Sequence, residues 1–436
     1  MRATRRPGQA RERGAHQLAF TVRRTVSRDR LPQLRQLLAE MAAPRGGTAP
    51  RIPFDQLTGV HFARLLLLDD VVDREGRTIG ASLVYMSEVD APLERHLAEL
   101  CTLAAPALDA AFGLCTDYPD APDAARRRRF LCDNRVRAQA VYVNALGRTR
   151  EQILREDRLH RAIEEFLDRE RNRLPAEAPR VRAAIQRFVE SDAALAWARR
   201  RAPAPSLRHR VAEAVHLVSW TVALLLLAPL ALALLIPFVL VLRLHERRDE
   251  PELLRPDPDH ARALGEIEDF GAQNQFSAVG FIKPGPFRRG LIAVVLFLID
   301  FAARHVYVRG SLAGVKTIHF ARWVVLDDRR RAIFTSNYDG SLENYMDDFI
   351  DKVAFGLNAS FSNGVGYPRT RFLFFSGARR EDEFKDHLRR RQIPTQVWYS
   401  AYQHLTLHNI ENNALIRSGL FGTLSEPEVA AWLRRL

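Results

Sequence analysis

The sequence of 436 residues predicts an α+β protein built from two copies of one strand–helix–strand–strand–helix–strand module. Two observations lead to this fold class. A string that contains His-Phe-Ala-Arg recurs in the second half of the chain, and strand-like and helix-like patterns surround both copies in the same order. A third observation concerns location, because a long apolar segment between the copies predicts contact with a membrane.

The repeat begins with GVHFARLLLLDD, from Gly59, and with TIHFARWVVLDD, from Thr317. After a loop that is longer in the first copy, Asp90 aligns with Asp339, and no gap is needed from there to a Tyr-Pro pair in each copy. The matching pairs are Tyr118-Pro119 with Tyr367-Pro368 and, between them and the aspartates, Leu93-Glu94 with Leu342-Glu343. An agreement of this length indicates an internal duplication.

The flanking segments extend the match. In the first copy the strand AHQLAFTVRRTV and the helix DRLPQLRQLLAEMA come before the repeated string, and the strand AVYVNAL comes after it. In the second copy QNQFSAVGFIKPG and FRRGLIAVVLFLIDFAARHVY come before it, and QVWYSAY comes after it. Elements in this order are typical of a ferredoxin-like module.

The repeated strand is apolar at both alternating sets of positions, so both of its faces should be buried. The two sets are His319, Ala321, Trp323 and Val325 against Phe320, Arg322, Val324 and Leu326. Helices cover only one face of a ferredoxin-like sheet. We therefore predict that the two modules pack sheet against sheet as an intrachain dimeric α+β barrel, with His319 and Arg322 on opposite faces of their strand.

The apolar segment runs from Ala214 to Leu242, and His216 is the only ionisable residue in it. It exceeds the roughly 20 residues that a spanning helix needs. Pro229 and Pro237 interrupt it, and arginines flank both ends, as is typical of cytoplasmic flanks. We expect a hairpin that enters the lipid bilayer of a bacterial inner membrane and returns, with both modules on the cytoplasmic side. A single kinked span is the alternative.

These patterns divide the chain into six parts. They are a disordered basic arm (1–14), a first ferredoxin-like module (15–150), a helical connector (151–210), a membrane-inserting hairpin or span (211–245), a linker (246–271) and a second ferredoxin-like module with C-terminal helices (272–436). The arm has no apolar stretch of the kind found in secretory signals. The three cysteines have no metal-ligand spacing, and we expect them to be reduced.

The net charge of +13 does not by itself predict a nucleic-acid partner. Only four of the 65 basic residues are lysines, a bias more typical of a GC-rich coding sequence than of a binding surface. Basic charge near a membrane also suits anionic lipid. The sequence contains no RNP1 string, no phosphate-binding loop, no strand-linked GxGxxG, no GxSxG and no HExxH. We predict no nucleic-acid partner.

The repeated modules resemble the tandem dimeric α+β barrel superfamily, which includes dye-decolourising peroxidases and chlorite dismutase-like haem proteins. The resemblance covers both modules but not the apolar segment, and the chain looks most like uncharacterised bacterial membrane-associated members. Dye-decolourising peroxidases carry a GxxDG motif that supplies a distal acid. The corresponding string here is Ser336-Asn337-Tyr338-Asp339-Gly340, which keeps Asp-Gly but has serine in place of the first glycine.

The resemblance implies haem as a candidate cofactor, and an axial ligand to haem iron is often a histidine in an apolar pocket. The candidate ligands in the second module are His305, His404 and His408. The candidate catalytic residues are Arg322, Asp339 and His319. Because the histidine of the repeated string is present in both copies, a shared structural role is the alternative for it.

Amide and aromatic side chains are concentrated near the C-terminus and beside the Asp-Gly turn. Such groups suit a polar ligand site in an otherwise apolar cleft, and a helix cap with surface asparagines is the alternative. The candidate ligand-binding residues are Asn337, Tyr338, Trp398, Tyr399, Asn409, Asn413 and Arg417. The acidic helix start after Gly340 favours capping by Ser341 or Asp339 over a metal site.

Two functions follow from these expectations. The first is a membrane-associated ligand-binding protein or oxidoreductase, whose barrel pocket in the second module binds a haem or an apolar, lipid-like molecule. The second is a non-catalytic membrane-bound scaffold. An open pocket between the two sheets would favour the first function, and solid packing there would favour the second. The sequence does not decide whether the protein is an enzyme.

Overall fold

A computed structural model describes residues 16–43, 49–200, 206–308 and 310–436. The basic arm expected at residues 1–14 lies outside these ranges. The chain divides into two compact units, each of which contains segments from before and after the apolar region. The smaller unit holds residues 147–222 and 412–436 with His16, and the larger unit holds residues 17–146 and 223–411.

The first segment of the larger unit has six strands and four α-helices among its described residues. They are β1 (Gln17–Thr25), α1 (Leu31–Ala42), β2 (Val60–Leu68), β3 (Val71–Val72), β4 (Thr78–Ile79), β5 (Ser82–Asp90), α2 (Leu93–Leu103), α3 (Ala105–Phe112), α4 (Ala124–Asp133) and β6 (Ala138–Val143).

Five α-helices follow between β6 and β7. They are α5 (Arg150–Glu170), α6 (Ala178–Ser191), α7 (Leu207–Ala233), α8 (Leu235–Arg248) and α9 (Pro258–Gly265). The remaining elements are β7 (Gln273–Phe281), α10 (Pro286–His305), β8 (Ile318–Leu326), β9 (Arg331–Asp339), α11 (Leu342–Phe361), β10 (Thr370–Arg371), β11 (Phe375–Ser376), α12 (Glu381–Arg391), β12 (Val397–Ser400), α13 (Leu407–Ser418) and α14 (Glu426–Leu433).

Polar side chains fix where several helices begin. The Thr149 hydroxyl accepts a hydrogen bond from the Gln152 amide at the start of α5, and Asp257 caps α9 in the same way. Ser341 caps α11 by accepting from Asn344, as the sequence predicted for the turn after Gly340. Each cap satisfies an amide that the helix itself leaves without a partner.

The protein is a mixed α+β structure with two open, antiparallel, four-stranded sheets in the larger unit. The first sheet has the strand order β1-β5-β2-β12, and the second has the order β6-β8-β9-β7. Each sheet therefore takes one edge strand from the other half of the chain. Strand β12 pairs with β2, and β6 pairs with β8.

Each sheet has two buried faces, as the apolar pattern of the repeated strand predicts. Helices α1 to α4 cover one face of the first sheet, and α10 to α12 cover one face of the second. The uncovered faces contact each other. Leu66, Val84 and Met86 of the first sheet pack there with Val324 and Ile333 of the second.

A β-bulge changes the predicted orientation of His319. The register of β8 with β9 shifts between Ile318 and Phe320, so that His319 has no opposite residue in the ladder. A bulge lets two successive side chains point to the same side. His319 and Phe320 accordingly both contact the ring of Phe62 in the other sheet. The expectation that His319 and Arg322 face opposite ways is wrong for this reason.

Helix α7 is long and apolar enough to cross a membrane, and none of its most apolar stretch is buried in the protein. The break before α8 is a single residue, Leu234, whose backbone angles are helical. The amide of Leu234 donates to Leu230, and the amide of Phe238 donates to Leu234. The chain therefore does not reverse here, in contrast to the expected hairpin. Pro237 lies in the first turn of α8, where a proline removes no helical hydrogen bond.

The smaller unit packs α5 and α6 against the C-terminal helices. Ile185 and Val189 of α6 share an apolar cluster with Leu420 and Trp432. The Arg182 guanidinium donates to the carbonyls of Gly419, Phe421 and Gly422, which follow α13. Segments that precede and follow α7 in the chain thus share one core.

Candidate functional site

Two buried arginines, one from each copy of the repeated string, cross between the sheets. Arg64 donates to the carbonyls of Phe276 and Ser336 (3.0 and 3.2 Å), to Ser277 Oγ (2.9 Å) and to Asn337 Oδ1 (2.5 Å). These acceptors all belong to the second sheet. Because the guanidinium carries several donors in a rigid fork, it can satisfy a strand carbonyl and a neighbouring side chain together.

Arg322 makes the reciprocal contacts with the first sheet. It donates to the carbonyls of Phe20 and Ser87 (both 2.9 Å), to Thr21 Oγ1 (2.9 Å) and to Glu88 Oε1 (2.5 Å). The arrangement differs from that of Arg64 in one respect. Arg322 has a carboxylate partner, whereas the bonds described for Arg64 all go to neutral acceptors.

The histidines of the repeated string also have matching partners. His319 Nε2 lies 2.6 Å from Asp339 Oδ1, and His61 Nε2 lies 3.0 Å from Asp90 Oδ1. His61 Nδ1 also lies 2.9 Å from the Tyr402 hydroxyl. Of the three residues that the sequence proposed as catalytic, His319 and Asp339 are therefore bonded to each other, whereas Arg322 is bonded to groups of the first sheet.

The three histidines proposed as haem ligands lie apart from the bonded pair His319 and Asp339. His404 and His408 are exposed, and His305 lies at the end of α10, where its ring is 4.9 Å from that of Phe301. None of the three lines the large cavity described below.

The residues proposed for ligand binding divide among several structural roles. Trp398 donates to Asn337 Oδ1 (3.1 Å), and Tyr338 stacks on Tyr345. Tyr399 stacks on Phe54, and Asn409 accepts from Thr406 at the start of α13. Asn413 and Arg417 lie in the smaller unit.

In that unit the two side chains hold helices together. Asn413 Oδ1 lies 2.7 Å from His160 Nδ1. Arg417 forms an ion pair with Glu156 (3.1 Å), and its guanidinium lies over the ring of Trp197. The C-terminal amides and aromatics therefore do not form a single cleft among the described residues.

The acidic start of α11 has a cation of its own. Glu343, Asp347 and Glu381 could together supply three oxygen ligands. The Lys385 ammonium lies within 2.6 Å of all three carboxylates. The Lys385 ammonium therefore occupies the position that a metal ion would need.

A large apolar cavity lies on the face of the second sheet that its helices cover. Its volume is about 640 Å³. Ala321, Trp323 and Phe334 form its floor, and side chains of α8, α10 and α11 form its walls. Helix α11 is kinked at Val353, which also lines the cavity.

The lining offers few polar groups. Tyr142, Tyr307 and Ser360 are the hydroxyl-bearing residues among those described, and none of the described lining residues is charged. The Ser360 hydroxyl already donates to Gly356, and the Tyr142 hydroxyl accepts from Asn144 (3.2 Å). Burial raises the pKa of Tyr142, so its hydroxyl stays neutral.

This cavity offers a haem few ligands. The described lining residues include no histidine, cysteine or methionine, and of their two tyrosines, which can also bind haem iron, Tyr142 already accepts a hydrogen bond from Asn144. The lining instead suits a ligand that makes apolar contacts along most of its length.

An aromatic loop, defined here as Thr370 to Ser376, forms one edge of the cavity. Phe372, Phe374 and Phe375 line the cavity and yet have 39%, 47% and 61% of their surface exposed. Phe372 and Leu373 have positive φ angles, which are uncommon for such residues. The sequence contained a signal for this loop in the string RTRFLFFSGARR, where three phenylalanines stand between arginines outside any long helix or strand.

Two buried side chains hold the aromatic loop in place. The Glu246 carboxylate, on α8, accepts from the amides of Phe372 (3.0 Å) and Leu373 (2.7 Å) and from Thr370 Oγ1 (3.0 Å). Asn358, on α11, donates to the carbonyls of Phe374 and Ser376. These bonds offset the conformational cost of the positive φ angles.

Comparisons with protein-family models, with curated proteins and with solved structures find no match. The cavity and the aromatic loop therefore carry the functional argument, and the resemblance to the dimeric α+β barrel superfamily stays a prediction.

Proposed function

We propose that the protein is a membrane-associated binding protein for an apolar, lipid-like small molecule, which it holds in the cavity beside its second sheet. The cavity carries the proposal. Its volume of about 640 Å³ falls within the roughly 300–1,000 Å³ typical of small-molecule sites. An acyl chain or another apolar ligand would gain contacts on all sides, and its transfer from water would be favourable.

The connection with α8 supports membrane association. Leu235 and Phe238 line the cavity, and α8 follows directly on the apolar helix α7. A ligand that dissolves in a bilayer could thus reach the cavity along an apolar surface. Basic residues flank the apolar segment at both ends, which favours the cytoplasmic face of a bacterial inner membrane as its location.

For the fold, we propose that the two halves are ferredoxin-like modules that arose by duplication and pair as an intrachain dimeric α+β barrel. The reciprocal bonds of Arg64 and Arg322 support this proposal. Phe20, Thr21, Ser87 and Glu88 correspond to Phe276, Ser277, Ser336 and Asn337. Leu66, Val84, Val324 and Ile333 pack together between the sheets, and this packing by itself favours the scaffold function. The cavity on the other face of the second sheet favours ligand binding, and the proposed ligand site therefore lies outside the barrel.

Ligand binding can be tested with a fluorescent fatty acid titrated into the delipidated full chain. We expect saturable binding and displacement by an unlabelled fatty acid. The variant Val294→Trp adds bulk on α10 at the cavity wall, from a position that is more than half exposed, and we expect it to weaken binding about tenfold or more. Leu103→Trp makes a similar change on the exposed surface of α2, away from the cavity, and should bind normally.

Two results would contradict the proposal. One is the absence of saturable binding by a chain whose circular dichroism and unfolding midpoint are unchanged after delipidation. The other is equal binding by both tryptophan variants, which would place the probe outside the cavity.

A further inference from the structure

We propose that the protein is embedded in one leaflet of an anionic membrane by α7, α8 and the aromatic loop, and that α7 enters the bilayer without crossing it. This inference rests on the membrane association proposed above. It adds the topology, the surface that meets the lipid and the charge class of the lipid.

The topology follows from how the chain is interlocked in the larger unit. Strands from before α7 and strands from after it form both sheets, because β12 pairs with β2 and β6 pairs with β8. Arg64 and Arg322 then join the two sheets through buried hydrogen bonds. These contacts are possible only if both segments lie on the same side of a bilayer.

The smaller unit gives the same result independently. Glu156 and Arg182 precede α7, and they bond to Arg417 and Gly419, which follow it. A single crossing by α7 would separate these partners. At about 1.5 Å per residue, the 27 residues of α7 span about 40 Å, and a crossing and return within them is not feasible for one uninterrupted helix.

The aromatic loop provides a second contact with lipid. Apolar side chains of this size are seldom left exposed on a rigid loop unless they contact something. Glu246 and Asn358 hold the loop in a single arrangement, so Phe374 and Phe375 would insert without a further cost in conformational entropy.

The charge around the loop indicates the class of lipid. The guanidinium groups of Arg243 and Arg371 lie 4.9 and 5.6 Å from the centre of the Phe372 ring. Arg243 also forms an ion pair with Glu246, so Arg371 is the arginine that we assign to lipid phosphate. Arginines beside inserting aromatic rings are placed to meet phosphate groups at the depth of the lipid headgroups. The chain as a whole carries a net charge of +13. Anionic phospholipid is therefore the partner that this surface fits.

The surface also adjoins the ligand cavity. Phe372, Phe374, Leu235 and Phe238 all line the cavity, so its edge is formed by the residues that we assign to the lipid contact. An apolar ligand could move between leaflet and cavity without passing through water.

The topology can be tested with a double-cysteine variant of the full chain. Cys132 is exposed and is replaced by serine, whereas Cys101 and Cys115 are buried and can stay. Ser206→Cys and Glu250→Cys then place one thiol on each side of the apolar helix, both at exposed positions. The protein is reconstituted in phospholipid vesicles and treated with a membrane-impermeant maleimide, and the number of labels on each chain is read by mass spectrometry.

The labelling pattern does not depend on the orientation of the protein in the vesicles. We expect chains with two labels or none, because both thiols lie on one side. Chains that carry a single label in intact vesicles, and two after the vesicles are dissolved, would overturn the inference.

The lipid contact is tested by flotation with vesicles of phosphatidylcholine, with and without phosphatidylglycerol. Phe374→Ser with Phe375→Ser should lower the partition coefficient about tenfold or more, and Arg371→Gln should lower it about fivefold on the anionic vesicles alone. Phe270→Ser and Arg255→Gln change exposed residues elsewhere and should have no effect.

The outcomes separate this inference from the proposed function. If the phenylalanine and arginine variants partition like the unaltered chain, the aromatic loop is not the lipid contact. The unaltered chain could instead form concentration-dependent dimers. If the variants abolish such dimers and leave the partition coefficient unchanged, the surface binds a second copy of the chain. Fatty-acid binding is measured in solution with the unaltered chain, independently of both results, and its absence would contradict only the proposed function.

Discussion

Replacing each of the two buried arginines by methionine should have unequal effects, although their hydrogen-bond patterns correspond. Methionine has a similar length and removes the charge and all donors. In Arg322→Met the Glu88 carboxylate stays buried without its cation. In Arg64→Met no carboxylate is left behind, because the bonds described for Arg64 go to neutral acceptors.

The expected magnitudes follow from this difference. Breaking a buried ion pair by removing one partner costs about 3–5 kcal/mol, because the remaining charge is uncompensated. Arg64→Met leaves neutral acceptors without donors, which costs about 1–3 kcal/mol. Part of that loss is offset because the variant no longer buries a charge. Burial lowers the pKa of Arg64 to about 10, which shows that its charged form is disfavoured there, and Glu88 counters this effect only in part. We expect Arg322→Met to be less stable than Arg64→Met by about 2 kcal/mol.

Urea unfolding of the full chain, followed by circular dichroism in a fixed detergent, measures this difference. Adding Glu88→Gln to Arg322→Met should recover about half of the loss. An unpaired buried carboxylate has a pKa raised above its unfolded value, so lowering the pH through that raised pKa should reduce the deficit of Arg322→Met. Equal losses in the two arginine variants, or no recovery with Glu88→Gln, would refute the reasoning.

Two further predictions concern other parts of the larger unit. Burial lowers the pKa of His96 to about 4. Between about pH 6.5 and pH 4 this histidine therefore binds a proton only in the unfolded chain, and the free energy of unfolding should fall by up to about 3 kcal/mol as the pH drops through this range. His96→Tyr, which copies the Tyr345 contact with Ser336, should remove this part of the slope in urea titrations at several pH values. Gly377 has a positive φ, and a Cβ there would lie 2.2 Å from Asn358 Oδ1. Gly377→Ala should therefore speed amide hydrogen exchange in the aromatic loop, whereas Gly280→Ala, which meets no atom within 4 Å, should not.

Much of the fold could be predicted from local pattern. Alternating apolar positions in the repeated strand indicated burial on both faces, and both faces of β2 and β8 are buried. The exchange of edge strands could not be predicted in this way. AVYVNAL and QVWYSAY have the composition of strands, but composition does not specify which sheet a strand joins.

The candidate site was harder to predict. The sequence directed attention to His319, Arg322 and Asp339 because they are polar residues in an apolar setting, and the structure shows them bonded between the sheets. The cavity lies elsewhere, and its lining consists of ordinary apolar residues such as Ala321, Val295 and Phe349. Such residues have no distinctive spacing in the sequence. What they share is the cavity that remains between the helices and the sheet to which they belong.

The sequence alone determined that the protein is α+β, that a string repeats and that the segment from Ala214 to Leu242 is apolar, since these properties depend on neighbouring residues and their periodicity. Only the tertiary structure decided that His319 turns towards the other sheet, that the two arginines cross between the sheets and that a cavity lies beside α8. Each of these depends on contacts between residues that are far apart in the chain, where one register shift or one helix kink redirects the side chains that follow.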